Sequence, residues 1–182
     1  MSFFHSKEFQ GTQYTFDHLD PFVTSVSLDA AGSKVVELDV TFSCHCFTEA
    51  FDESLHQDHH RYRFQGELRA FDVLRYACSL QLPTVIAAMF RGRIHRGDGS
   101  LTYVAYITLS DAPGEQPYSV FFSLERDDSK PGNVLAMRIK SAYLKSLVAK
   151  ANAQSWRFVS LAGEVSGLFV KVPKTRPRKK AP

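Results

Sequence analysis

A chain of 182 residues that is 44% hydrophobic and 13% aromatic, with fifteen Phe and seven Tyr, can bury one substantial core, which excludes a disordered protein. Its net charge of +3 conceals an asymmetry: Lys171, Lys174, Arg176, Arg178, Lys179 and Lys180 crowd the C-terminus without an acid, and taking those six from +3 leaves residues 1–170 at −3. Three cysteines form no even disulfide framework, no apolar run reaches the ~18 residues of a membrane span, and the N-terminus has no charged-then-apolar leader pattern; a cytoplasmic protein with reduced thiols and no membrane partner is expected.

The first half reads as β-structure. β-Favouring stretches lie around Phe16 and from Phe22 to Leu28, Asp29 to Ser33 forms a turn around Gly32, and Lys34 to Phe47 follows as a strand, giving an N-terminal antiparallel hairpin. Glu49 to Tyr62, polar and rich in His and Asp, reads as a surface loop. From Gly66 to Arg91 the spacing of Leu68, Phe71, Leu74, Ala77 and Cys78 predicts a helix with one apolar face. Pro83 breaks it at Leu82 and opens a second helix that stops near Gly92. Three strands follow with short turns: Leu101–Ser110, Tyr118–Arg126 and Val134–Tyr143. Leu144 to Gln154 suits a short helix, and Trp156 to Val172 one or two strands broken by Gly163 and Gly167. The expected fold class is α+β, an antiparallel β-sheet with two central helices packed on it. Residues 1–170 form one domain, and residues 171–182, interrupted by Pro173, Pro177 and Pro182, a disordered basic tail.

The cluster Cys44, His45, Cys46, His56, His59 and His60 invites a zinc interpretation. On a strand, Cys44 and Cys46 share a face while His45 points away, and structural zinc knuckles space their cysteines by about two to four residues. The spacing therefore assigns no metal ligand and no cofactor; a zinc-stabilised regulatory module using Cys44, Cys46 and two of the three later histidines is the alternative. Three positive groupings are better candidates. Arg75 shares a helix surface with Asp72, Tyr76 and Ser79, and its guanidinium fork suits a phosphate. Arg91, Arg93, His95 and Arg96 join cationic groups to a histidine that titrates near neutrality. Arg138 and Lys140 share one face of the last hairpin strand, and Ser141 and Tyr143 continue the opposite, buried face begun by Leu135, Met137 and Ile139.

Two central helices around Leu82-Pro83, then consecutive antiparallel strands ending in Ile139-Lys140-Ser141-Ala142-Tyr143, resemble the small ribonuclease fold of RelE-like toxins and barnase-type nucleases over about residues 66–145. That resemblance implies a metal-independent endoribonuclease, possible catalytic groups being Arg75, His95, Arg138, Ser141 and Tyr143. In that scheme His95 or Tyr143 transfers protons, and Arg75 and Arg138 stabilise the charge developing on phosphate. The helix histidine common in several such nucleases is missing between Gly66 and Arg91. Arg91, Arg93, Arg96, Lys140, Lys174, Arg176, Arg178, Lys179 and Lys180 are the expected nucleic-acid contacts. RNA is thus the expected partner, bound or cleaved. The competing expectation is a non-catalytic interaction module for a protein partner, antitoxin-like or other.

Overall fold

The computed structural model describes residues 2–96, 100–110, 112–146 and 154–169. Two strand pairs close on the same dipeptide. β1 (Lys7–Phe9) returns through Gln10-Gly11 into β2 (Thr12–Tyr14). With φ of +49° and +78°, those two residues have the positive pair that a type I′ turn requires. β3 (Phe22–Ser27) and β4 (Val35–Phe42) form the expected antiparallel hairpin, its turn tied by Asp29, whose Oδ1 accepts from the Ser33 amide at 2.8 Å.

β4 stops at Phe42 rather than running to Phe47. The Ser43 hydroxyl accepts from the His45 amide at 3.2 Å and caps a single 3-10 turn, Cys44–Cys46. The polar stretch after it is not simply loop: it holds β5 (Thr48–Ala50), a 3-10 turn at Asp58–His60 and the start of β6 (Arg61–Phe64). β6 turns through Gln65-Gly66, φ +49° and +86°, into β7 (Glu67–Phe71), which pairs with β6 on one side and β5 on the other. The expected helix therefore begins late. Asp72 accepts from the Arg75 amide at 2.9 Å and caps α1 (Val73–Ser79), and α2 (Leu82–Met89) carries Pro83 in its first turn.

β8 (Arg93–Arg96), a strand that was not expected, pairs antiparallel with β9 (Leu101–Thr108), and β9, β10 (Glu115–Arg126) and β11 (Val134–Leu144) form the expected antiparallel meander. β12 (Ser155–Arg157) is followed by a helix where strands were expected, α3 (Phe158–Ser166). Phe158, Leu161, Ala162 and Ser166 bury one side of that helix, and Gly167 ends it at φ +78°. Gly163 is bare because the Phe169 ring lies against it; any Cβ would collide.

Among the described residues the strands make three sheets: β1–β2, the trio β5–β7–β6, and a seven-stranded sheet ordered β12–β8–β9–β10–β11–β4–β3. The large sheet is mixed, since β4 runs parallel to β11, whereas an antiparallel sheet was expected. The architecture is α+β as expected. Leu38, Val40, Met137, Ile139, Val120 and Phe122 bury one face of the large sheet, joined by Cys78 from α1, Ile86 and Met89 from α2, and Phe158 from α3. The small sheets add a knot of rings, with Phe16 stacked on Phe47 at 3.9 Å and Phe4 edge-on to Phe47 at 5.2 Å. Such pairs contribute roughly 0.5–1.5 kcal/mol each beyond their buried area. No helix among the described residues is long and apolar enough to cross a membrane.

Candidate functional site

A bulge in β11 decides which side chains reach solvent. Phe122 pairs with Ile139 but Phe121 pairs with Ser141, leaving Lys140 as the extra residue. The alternation flips there: Ala142, not Ser141, follows Ile139 onto the buried face, and Ser141 and Tyr143 turn to the opposite face with Arg138. The expectation that Ser141 and Tyr143 continue the core fails for this reason. Directly paired residues share a face, so register extends the row across the sheet: His95 pairs with Thr102, Thr102 with Phe121, and Phe121 with Ser141. Tyr143 stacks on Phe121 at 5.2 Å, with 24° between the rings. Arg138 flanks this row from its pairing with Ser123 and Thr41.

At the far edge Arg93 pairs with Arg157 and donates to the Ser155 hydroxyl at 2.8 Å; both arginines are exposed. Arg93 and His95 share a face by their two-residue spacing, which puts Arg157 there as well. Arg157 was missed in the sequence because it lay in a stretch assigned only in outline. Arg91 and Arg96 are exposed at the two ends of β8. Four of the five expected catalytic residues, His95, Arg138, Ser141 and Tyr143, thus share one face, though not one point. From His95 on β8 to Tyr143 on β11 are three strand spacings and two residues along the strand, ~16 Å.

Arg75, the fifth, reaches Tyr143 from α1. Its Nη1 donates to the carbonyls of Thr48 at 2.9 Å and His45 at 3.3 Å, and its guanidinium sits 4.8 Å from the Tyr143 ring centre. Ser79, its helix neighbour, donates to the Tyr76 carbonyl and meets His18 Nε2 at 2.8 Å. Lys174, Arg176, Arg178, Lys179 and Lys180 lie outside the described residues.

Arg138 also lines a cleft of about 330 Å³ walled by Phe3, Phe42 and Phe64 and by the polar Thr41, Ser43, Cys44, Gln65 and Glu67. Beside it, His45 Nε2 lies 3.0 Å from both Glu67 oxygens, and Arg69 donates to Glu67 at 3.3 Å. The hydrogen bond from His45, then its charge and that of Arg69, hold the Glu67 carboxyl below its ordinary range against a desolvation that pulls the other way. Burial, then the Glu67 charge, push the Cys44 thiol up. Complete burial pushes Cys46 to about 12. The later histidines gather elsewhere: His56 contacts Glu49 at 2.9 Å, while His59 and His60 pack on Phe9. Among the described residues, Cys44, His45 and Glu67 are the group whose donor atoms come within 4.8 Å of one another, not Cys44 and Cys46 with two later histidines.

No curated protein and no solved structure matches the chain. The model of the YjaZ family matches residues 6–166, from the first hairpin to the end of α3, and on that extent of agreement the chain belongs to the YjaZ family.

Proposed function

We propose that this protein binds single-stranded RNA across the outward face of β8, β9, β10 and β11. The observation that carries the proposal is the alignment of His95, Phe121 and Ser141 on one face through Thr102, which is itself buried, with Tyr143 stacked on Phe121. Single strands are held on sheets by aromatic faces on which bases stack, worth ~1–3 kcal/mol per base, and by cations that follow the phosphates. Phe121 and Tyr143 are half-buried, leaving ring surface at the sheet, and Tyr106 on β9 is 66% exposed. Arg93 and Arg157 stand on one side of the rings, Arg138 and Lys140 on the other. The basic tail would add sequence-independent attraction.

Binding is favoured over cleavage. Transesterification at a ribose 2′-hydroxyl needs its acid and base within hydrogen-bond reach of one phosphate, about 3 Å each. His95 and Tyr143 are ~16 Å apart by strand spacing and register, suited to touching different nucleotides. The test is fluorescence anisotropy with a labelled single-stranded RNA of mixed sequence. The full chain should bind it more tightly than a duplex of the same length, and Phe121→Ala should weaken binding by roughly tenfold or more. Absence of binding, or equal affinity for the duplex and for single strands, overturns the proposal. Product analysis of the same RNA separates binding from cleavage.

A further inference from the structure

We infer that Cys44, His45 and Glu67 form a binding site for a divalent transition-metal ion, zinc by donor chemistry, at the wall of the cleft lined by Arg138. The site is separate from the row of rings but shares Arg138 with the cations of the RNA face. A thiolate, an imidazole and a carboxylate are the sulfur, nitrogen and oxygen donors that zinc accepts together. Their donor atoms already lie within 4.8 Å of one another. A tetrahedral zinc with Zn–S of about 2.3 Å and Zn–N of about 2.0 Å needs donors roughly 3.3–3.8 Å apart, so small side-chain rotations close the set.

The supports are built into the backbone. Cys44 and His45 are adjacent on a 3-10 turn that Ser43 caps, and Thr48 Oγ1 donates to the Cys44 carbonyl at 2.8 Å. Glu67 is the first residue of β7, delivered by the tight Gln65-Gly66 turn. Arg69 donates to its carboxylate at 3.3 Å, the outer contact that orients a metal-binding carboxylate. A plain His45–Glu67 ion pair uses two of these groups and a metal uses all three; Cys44 is also a core residue, 4% exposed. Cys46, two residues on, is fully buried and takes no part.

Three protein donors leave one position of a tetrahedron open, the arrangement of zinc sites that bind or activate a ligand. Cys44 and Glu67 both line the 330 Å³ cleft, so the open position faces usable space. Arg138 lines the same cleft, which selects an anionic fourth ligand such as hydroxide or a carboxylate.

The test is titration of the full-length, chelator-treated protein with Co²⁺, followed by displacement with Zn²⁺. The expected result is one ion per chain, with absorption of a tetrahedral cobalt centre and a thiolate-to-cobalt charge-transfer band. Cys44→Ser should abolish that band, and His45→Ala and Glu67→Gln should weaken binding at least tenfold. His59→Ala and His60→Ala should leave it unchanged. Failure to bind, cobalt bound without the thiolate band, or binding lost with the His59 and His60 variants overturns the inference. The wild-type spectrum decides even if a variant misfolds, and circular dichroism identifies such a variant.

Discussion

Arg75 spans the junction between the two halves of the core, its guanidinium 4.8 Å from the Tyr143 ring while Nη1 binds the carbonyls of His45 and Thr48. One side chain thus ties α1 to the Cys44–Cys46 turn, to β5 and to β11. Removing it should leave two part-buried carbonyls without this donor and a ring without its cation. Arg75→Ala is expected to lose roughly 1–3 kcal/mol in urea denaturation. Tyr143→Phe, which keeps the ring, should change stability by less than ~0.5 kcal/mol, and Tyr143→Leu should cost about 1 kcal/mol. If Tyr143→Phe leaves RNA affinity intact while Tyr143→Leu reduces it, the ring acts by stacking and the hydroxyl is dispensable.

Two buried tyrosines make a sharper comparison. Tyr62 donates its hydroxyl to the His5 carbonyl at 3.0 Å. Tyr118 is fully buried, and its hydroxyl has no hydrogen-bond partner among the described residues. Tyr62→Phe should therefore destabilise by ~0.5–1.5 kcal/mol, and Tyr118→Phe should be neutral or stabilising by up to about 1 kcal/mol. Urea midpoints at constant m-value decide the point. A larger loss from Tyr118→Phe than from Tyr62→Phe would contradict it.

Much of this architecture was legible because it is local. The Asp29–Ser33 turn, the Leu82-Pro83 break and the meander from Leu101 to Tyr143 are set by neighbours in the chain. β7 was not legible as a strand: Leu68 and Phe71 lie three apart, as on a helix, and only pairing on both sides makes Glu67–Phe71 extended. A signal did exist in the repeated Phe-Gln-Gly of residues 9–11 and 64–66, which forms the same turn twice. The parallel β4–β11 pair and the approach of Glu67 to Cys44 are contacts between distant segments, to which local periodicity is blind. Face assignment on β11 failed at one residue, because a bulge at Lys140 inverts every position beyond it.

Stability should fall as the solution becomes acidic, in part through His18. Burial of this ring, partly offset by the charges of Asp17 and Asp20, holds its pKa below the ordinary value of 6.5. Ser79 already donates its hydroxyl proton to the Tyr76 carbonyl, so His18 Nε2 is the donor to Ser79, and further protonation falls on Nδ1. With the folded pKa lowered, the unfolded chain binds more protons below 6.5, and stability present above that pH is lost as pH falls toward the folded pKa. Urea midpoints at pH 7.5 and pH 5.5 should differ less in His18→Gln than in the wild type. An unaltered difference would assign the acid sensitivity to other groups, His60 foremost, whose pKa burial and then the His59 charge also lower.

The salt dependence of RNA affinity separates the roles of the cations and the rings. Arg138 is exposed and flanks the row containing Phe121 and Ser141, while Arg93 and Arg157 stand at the opposite edge. Each cation that neutralises a phosphate of a single strand releases counterions and steepens the plot of log affinity against log salt by ~0.7. Arg138→Ala and Arg157→Ala should each weaken binding and flatten that slope by about this amount. Phe121→Ala should weaken binding without changing the slope, because stacking releases no counterions. Truncation after Val170 should flatten the slope further if Lys171 to Lys180 touch phosphates. Loss of all affinity on truncation, with none lost in Arg138→Ala or Phe121→Ala, would transfer binding from the sheet to the tail.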